Sequence, residues 1–171
     1  MRKIVLLFCV VAFCLSAHTV WAEKVLRLTL QLPATHHLGV NVQSFADEVT
    51  KNTNGEIKVE IYPSAQLYKD KEVPQAVSSG AVEMGVAALT RFVGTIPAVD
   101  LFYVPFLFAD EEAVKKAVAK GSSVRGPIDE AVLKTGARIL WWQAYGGAVF
   151  LSNDFALQSP DDLQNRKVRV F

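Results

Sequence analysis

The chain has 171 residues, 18 of them basic and 17 acidic, for a formal net charge of +1; 51% are hydrophobic and 20% charged. That is the composition of a globular protein. With no basic stripe and no long charge run, a nucleic-acid surface built on clustered Lys and Arg is excluded.

Arg2 and Lys3 precede an apolar run from Ile4 to Leu15, and Val20-Trp21-Ala22 has the small-x-small form of a cleavage site. The pattern predicts a signal peptide over 1–22 and a mature chain from Glu23. The run is short for a bilayer span, which weighs against the other reading, a retained membrane anchor. Cys9 and Cys14 both lie in this segment, and Phe8 and Phe13 before them do not suit a lipoprotein site. The mature chain then has no cysteine, which excludes disulfides, thiolate metal sites and a cysteine nucleophile. Export without disulfides suits a bacterial periplasm. Without Arg2 and Lys3, 16 basic residues stand against 17 acidic.

In chain order, Val25 to Leu32 alternates, with Leu26, Leu28, Leu30 and Leu32 on one face of a predicted strand. A helix follows from about Leu38, with Leu38, Val42, Phe45 and Val49 at helical spacing, and Asn54-Gly55 ends it. Ile57, Val59 and Ile61 form a second strand, closed by Pro63. A short helix over Lys71 to Ser79 stops at Gly80, and Val82, Met84 and Val86 make a third strand. Asp110 opens a helix that Gly121 ends, and Pro127 begins another with Ile128 and Val132 inward and Gly136 at its end. Ala137 to Gln143 is bulky and apolar and reads as a buried strand. Ser159-Pro160-Asp161-Asp162 has the chemistry of a helix start. Lys167 to Phe171 alternates as a strand, and its stop on an apolar residue suggests a fragment. Strands alternating with helices predict an α/β sheet with helices packed on it.

Ligands in such sheets sit beyond the carboxyl ends of strands, which singles out Pro33 to His37, Ala87 to Arg91 and Tyr145 to Asn153. The sequence has no G-x-S-x-G, H-E-x-x-H, Walker loop or G-x-G-x-x-G, so no nucleophile elbow, zinc motif or cofactor motif is present. His36 and His37 are adjacent and make a poor chelate. They read either as polar residues near a helix start or as a cleft rim where anions are favoured. Ala87, Ala88, Leu89 and Thr90 read as pocket lining or core, and Arg91 as a solvated charge. Trp141 and Trp142 must point to opposite faces of a strand, one into core and the other toward a cleft. The run Asp100 to Phe108 reads as a buried segment broken by proline rather than an exposed docking patch. Arg169 is either a surface cation on an edge strand or a planar fork for a carboxylate.

Several segments together resemble the periplasmic solute-binding proteins of TRAP transporters, the DctP-like family. They are Phe45-Ala46-Asp47-Glu48-Val49 with Thr53-Asn54-Gly55, Val59 to Leu67, Gly80 to Met84, Val104 to Phe108, and Ser159 to Leu163 leading into Lys167-Val168-Arg169-Val170. The resemblance implies a two-domain clamshell of periplasmic-binding-protein type. Domain I (23–151) would be incomplete, and 152–171 would be the start of a truncated domain II. It implies a monomeric extracytoplasmic receptor, not an enzyme, that hands an organic acid to ion-gradient-driven TRAP membrane permease subunits in the periplasm, with no cofactor. Arg169 falls on the arginine that pairs with the substrate carboxylate in that family. The other expected ligand contacts are Val149, Leu89, Thr90, His37, Trp142 and Phe171. Alternatives are an exported enzyme, or a ligand-sensing receptor, whose other site residues lie beyond Phe171.

Departures shape the expected ligand. Asn165 and Arg166 stand where many members have a glycine and an apolar residue, and Phe171 stands where proline is common. Valine at Gly147-Ala148-Val149 replaces the second arginine of sialic-acid-type members, and Ala88, Leu89 and Thr90 stand just before Arg91, where those members have an acidic residue. With one charge clamp and an apolar lining, a monocarboxylate with an apolar or aromatic body is expected.

Overall fold

The computed structural model describes residues 23–104, 107–108, 110–146, 150–153 and 155–169. The expected signal peptide, Val149 and Phe171 lie outside the described residues. Strand β1 (Lys24–Leu30) is the centre of a three-stranded parallel sheet of order β2-β1-β3. Helix α1 (His37–Asn52) carries the chain from β1 to β2 (Ile57–Tyr62). The registers place Leu26 beside Val59, and Leu28 between Ile61 and Met84 of β3 (Met84–Val86).

Both faces of the sheet are covered, as a parallel sheet requires. Leu28 and Leu30 pack with Val59 against Val42 and Ala46 of α1. Alternation turns Thr29 to the other face, where it is fully buried. There it meets Gly85 and Val73, the first residue of the short helix α2 (Val73–Ser78). The expected Lys71–Ser79 helix is thus split: a 3-10 turn at Asp70–Glu72 precedes α2. The end of α1 follows from its sequence. Asn54 and Gly55 take φ of 50° and 82°, and the Gly55 N–H donates to Thr50 O at 2.9 Å. The Thr53 hydroxyl accepts from Ile57 N at 3.1 Å, tying the helix end to the start of β2.

A second core forms where 3-10 segments Leu89–Phe92 and Pro97–Tyr103 meet helix α4 (Arg125–Lys134). Ile96, Val99, Ile128 and Val132 are buried there. Helix α3 (Glu111–Val118) precedes it, capped by Asp110, whose Oδ1 accepts from Ala113 N at 2.8 Å. Helix α4 starts at Arg125 rather than Pro127, which still falls in the first turn, where its missing N–H does little harm.

Three expectations are corrected. Ala137–Gln143 forms no strand among the described residues and is not buried: Leu140 and Trp141 are exposed. Its bulky side chains serve packing between two cores instead: the Trp141 ring lies 4.8 Å from that of Phe45, and the Trp142 ring 5.6 Å from that of Phe102. Lys167–Arg169 likewise pairs with no strand among the described residues. The aromatic run is not uniformly buried: Leu101, Tyr103, Val104 and Leu107 are exposed, while Phe102 stacks on Phe108.

No helix among the described residues is long and apolar enough to cross a membrane. On the surface, Arg27 of β1 grips Glu83 through Nε and Nη2 at 2.9 and 2.8 Å and donates to Ala81 O. Those hydrogen bonds pull the Glu83 carboxyl down to about 2. A carboxyl depressed by folding stabilises above its unfolded value and loses that contribution as pH falls toward its folded value. Melting temperatures of the wild-type protein and Glu83→Gln should therefore differ at neutral pH and converge between about pH 4.5 and about 2. A difference that stays constant across that range would show that the pair contributes nothing.

Candidate functional site

Because β1 and β3 run parallel, their carboxyl ends open on the same side of the sheet. The loop after β1 is shaped by Gly39 in the first turn of α1. A Cβ there would lie 2.6 Å from Ala34 O and 2.7 Å from Pro33 O, so only glycine lets the helix pass so close beneath the loop. His36 caps α1, its Nδ1 accepting from Leu38 N at 3.2 Å. Its ring lies 4.2 Å from that of His37 and 5.5 Å from that of Tyr145. The structure thus brings two of the three predicted stretches together. His37 and Tyr145 are exposed. Gly39→Ala should push the loop off the helix and destabilise the fold by about 1–3 kcal/mol; an unchanged denaturation midpoint would contradict this packing.

After β3 the chain turns through Leu89–Phe92, and this turn is organised by Asp70. Asp70 is 8% exposed; its Oδ1 accepts from Ala88 N at 3.0 Å, and its Oδ2 takes the Nε of Arg91. Arg91 is therefore not simply a solvated charge: one edge of its fork is tied down, and 34% of its side chain remains open. The Thr90 hydroxyl oxygen is shut from solvent and lies next to the Tyr103 phenol. Leu89 packs at the margin of the second core. Tyr103 lies beside Thr90; partial burial raises its phenol above the ordinary value, and Thr90 and Arg91 offset that in part.

Trp142 is held in place on several sides. Its indole N–H donates to Asp129 Oδ1 at 2.8 Å, and the Arg125 guanidinium sits 5.9 Å from its ring centre. Arg125 in turn donates from Nε to Asp129 Oδ2 at 2.8 Å and from Nη1 to Val118 O at 3.1 Å. Trp142 thus packs into the second core, with its polar edge used internally. Gln143 and Ser152, in or near the third stretch, each carry a buried polar atom without a partner among the described residues.

Arg169 follows a well-formed turn. Ser159 caps the 3-10 segment Pro160–Leu163, and Asp162 Oδ2 accepts from Ser159 N at 2.8 Å and Gln158 N at 2.9 Å. These bonds lower the Asp162 carboxyl below its ordinary value. Asn165 then takes φ of 60°, the conformation a glycine would adopt freely and asparagine tolerates best among other residues. The substitution that made this turn look unusual in sequence is therefore accommodated. The Arg166 guanidinium lies 4.5 Å from the Phe155 ring centre, and Arg169 is exposed. Asp70, Tyr103 and Asp129 escaped sequence reasoning. Asp70 sits between two lysines in a polar stretch, which gave no sign of burial.

Comparison with known proteins adds the family. The profile of DctP, the bacterial extracellular solute-binding protein family 7, matches residues 29–171. The chain is 34% identical over 134 residues to the C4-dicarboxylate-binding periplasmic protein DctP of Rhodobacter capsulatus, covering 77% of this chain and 39% of that one. Among solved structures, it is similar to a TRAP periplasmic solute binding protein from Sulfurospirillum deleyianum with bound succinate. That match has 28% identity and a TM-score of 0.62, over 67% of this chain and 36% of that one. It is also similar to DctP7, a Bordetella pertussis extracytoplasmic solute receptor binding pyroglutamic acid. There the identity is 26% and the TM-score 0.59, over 67% and 37% of the two chains. The chain thus spans less than half the length of these relatives. It belongs to the bacterial extracellular solute-binding proteins of family 7, the DctP family.

Proposed function

We propose that the protein is the extracytoplasmic solute receptor of a TRAP transporter. It captures an organic acid by its carboxylate and delivers it to an ion-gradient-driven permease in the membrane. The observation that carries this reading is the family match, which runs through Arg169, an exposed residue that follows a capped turn. A planar guanidinium holds a carboxylate through two parallel hydrogen bonds. Relatives whose names state a ligand bind small acids: a C4-dicarboxylate, succinate and pyroglutamic acid. Residues 1–22 act as a cleaved export signal, so the receptor works in the periplasm as a monomer. Residues 23–151 belong to the first lobe of a clamshell and 152–171 to the second. His37, Leu89, Thr90, Trp142, Val149 and Phe171 contribute to the ligand site around Arg169, with Trp142 acting by packing rather than through its indole N–H.

The receptor performs no covalent chemistry on its ligand. Equilibrium dialysis of the encoded protein against a panel of organic acids, followed by mass analysis of what is retained, tests this. The expected result is an acid recovered unchanged at one equivalent. Recovery of a converted product would favour an exported enzyme instead.

A further inference from the structure

The receptor reading gives Arg169 its task, yet the stretch that carries it has little to hold it in place. Lys167–Arg169 pairs with no strand among the described residues, and Val168 is 45% exposed rather than packed. Among those residues the nearest side-chain contact upstream is made by Arg166. Its guanidinium lies 4.5 Å from the centre of the Phe155 ring, within reach of a cation–π contact. Phe155 is half-buried and Arg166 exposed, so the contact sits at the edge of water.

The turn between the two residues accounts for their meeting. Asp162 Oδ2 accepts from Gln158 N and Ser159 N, which fastens the turn to the segment that follows Phe155. Gln164 donates to Asp161 twice, from its backbone N to the carbonyl at 3.0 Å and from its side-chain amide to Oδ1 at 2.8 Å. Asn165 follows with its positive φ, and Arg166 N donates to Leu163 O at 3.1 Å. Asn165 and Arg166 were two departures from the family pattern in sequence. Here they work as a pair, one completing the turn and the other closing it on Phe155. Arg169 is three residues further on, at most about 10 Å of chain. A chain left loose at Arg166 would have to be ordered when the ligand binds, and that cost would be subtracted from affinity.

We infer that Arg166 is a positioning residue: stacked on Phe155, it holds the chain in the direction in which Arg169 meets the ligand carboxylate. This inference rests on the receptor reading. Arg166 does not itself touch the ligand and acts through Arg169.

Two measurements on the encoded protein test it. Without ligand, the δ-methylene protons of Arg166 should show upfield ring-current shifts in NMR spectra, and Phe155→Leu should remove them. Random-coil shifts in the wild-type protein would show that the contact is not held in solution and overturn the inference. Calorimetric titration with succinate, pyroglutamate, galactonate and benzoate then reads the effect on affinity. For any of these that binds, Phe155→Leu and Arg166→Ala should each weaken binding about two- to fivefold, the size of an exposed cation–π contact. The melting temperature should stay unchanged. The double substitution should weaken binding no further than either single one, since both remove the same contact. Phe155→Trp supplies a better ring for a cation and should bind at least as tightly as the wild type. Phe155→Leu leaves every charge in place, so its loss does not come from weaker long-range attraction of an anion. Affinity untouched by Phe155→Leu, additive losses, or a melting temperature that falls with the affinity overturns the positioning role and leaves the receptor reading standing. A loss beyond tenfold in Arg166→Ala alone would put Arg166 on the ligand and overturn it as well. If none of the four acids binds the wild-type protein, the receptor reading fails and the positioning role with it, even where the ring-current shift is present.

Discussion

Arg169→Ala should weaken carboxylate binding by about 2–5 kcal/mol, which is roughly 30- to 5,000-fold in Kd. The size follows from removing one partner of a charge-assisted pair that is dehydrated once the ligand is enclosed. The carboxylate would then lie in the site with neither water nor guanidinium to satisfy it. In the unliganded chain Arg169 is exposed, so folding stability should change by no more than about 0.5 kcal/mol. The two readouts separate a ligand contact from a structural residue. Titration calorimetry should show the loss while the urea midpoint stays in place. Arg169→Lys should recover only part of the affinity, since an ammonium cannot reproduce the two-pronged geometry. Wild-type affinity in the alanine variant would remove Arg169 from the site.

The second large effect is on the fold. Leu30 is completely buried at the carboxyl end of β1, packed with Leu28 and Val59 against α1. Leu30→Ala should cost about 2–5 kcal/mol, the lost transfer energy of the side chain plus the cavity left behind. Because β1 has a strand on each side and a helix layer on each face, little can collapse into that space, which favours the upper part of the range. The denaturant midpoint should fall with an unchanged slope. A loss below 1 kcal/mol would mean that the sheet is not the stabilising centre of the molecule. The same strand ends at the loop that carries His36, so binding by this variant should weaken only as its folded population falls.

The elements legible in sequence were those whose signal is local. Leucine alternation in β1, the helical spacing of Leu38, Val42 and Val49, and the Asn54-Gly55 stop each follow from a few neighbouring residues, and each appears within a residue or two of its expected place. The segment Ala137–Gln143 misled because bulk and apolarity show neither that another backbone stands beside a segment nor that it is buried: Leu140 and Trp141 are exposed. Trp141 and Trp142 do diverge without a ladder to hold them: Trp142 packs into the second core, while Trp141, still exposed, lies against Phe45. The 3-10 segments Leu89–Phe92 and Pro97–Tyr103 are too short for a hydrophobic period of their own to register. At the site, the stretches beyond the strands were legible because the fold class fixes where ligands lie. What was not legible is the pairing of Asp70 with Arg91 across 21 residues, which gives a solvated-looking arginine a fixed direction. Long-range side-chain pairs leave no mark in a single sequence, and Asp70 carried no local sign of burial.

The most direct measurement of the central claim is titration of the encoded, mature protein with small carboxylic acids and, in parallel, with their uncharged primary amides. A carboxylate receptor predicts saturable binding of at least one acid and binding of its amide that is at least a hundredfold weaker. Equal affinity for acid and amide, or no binding by any acid in a broad panel, would contradict it.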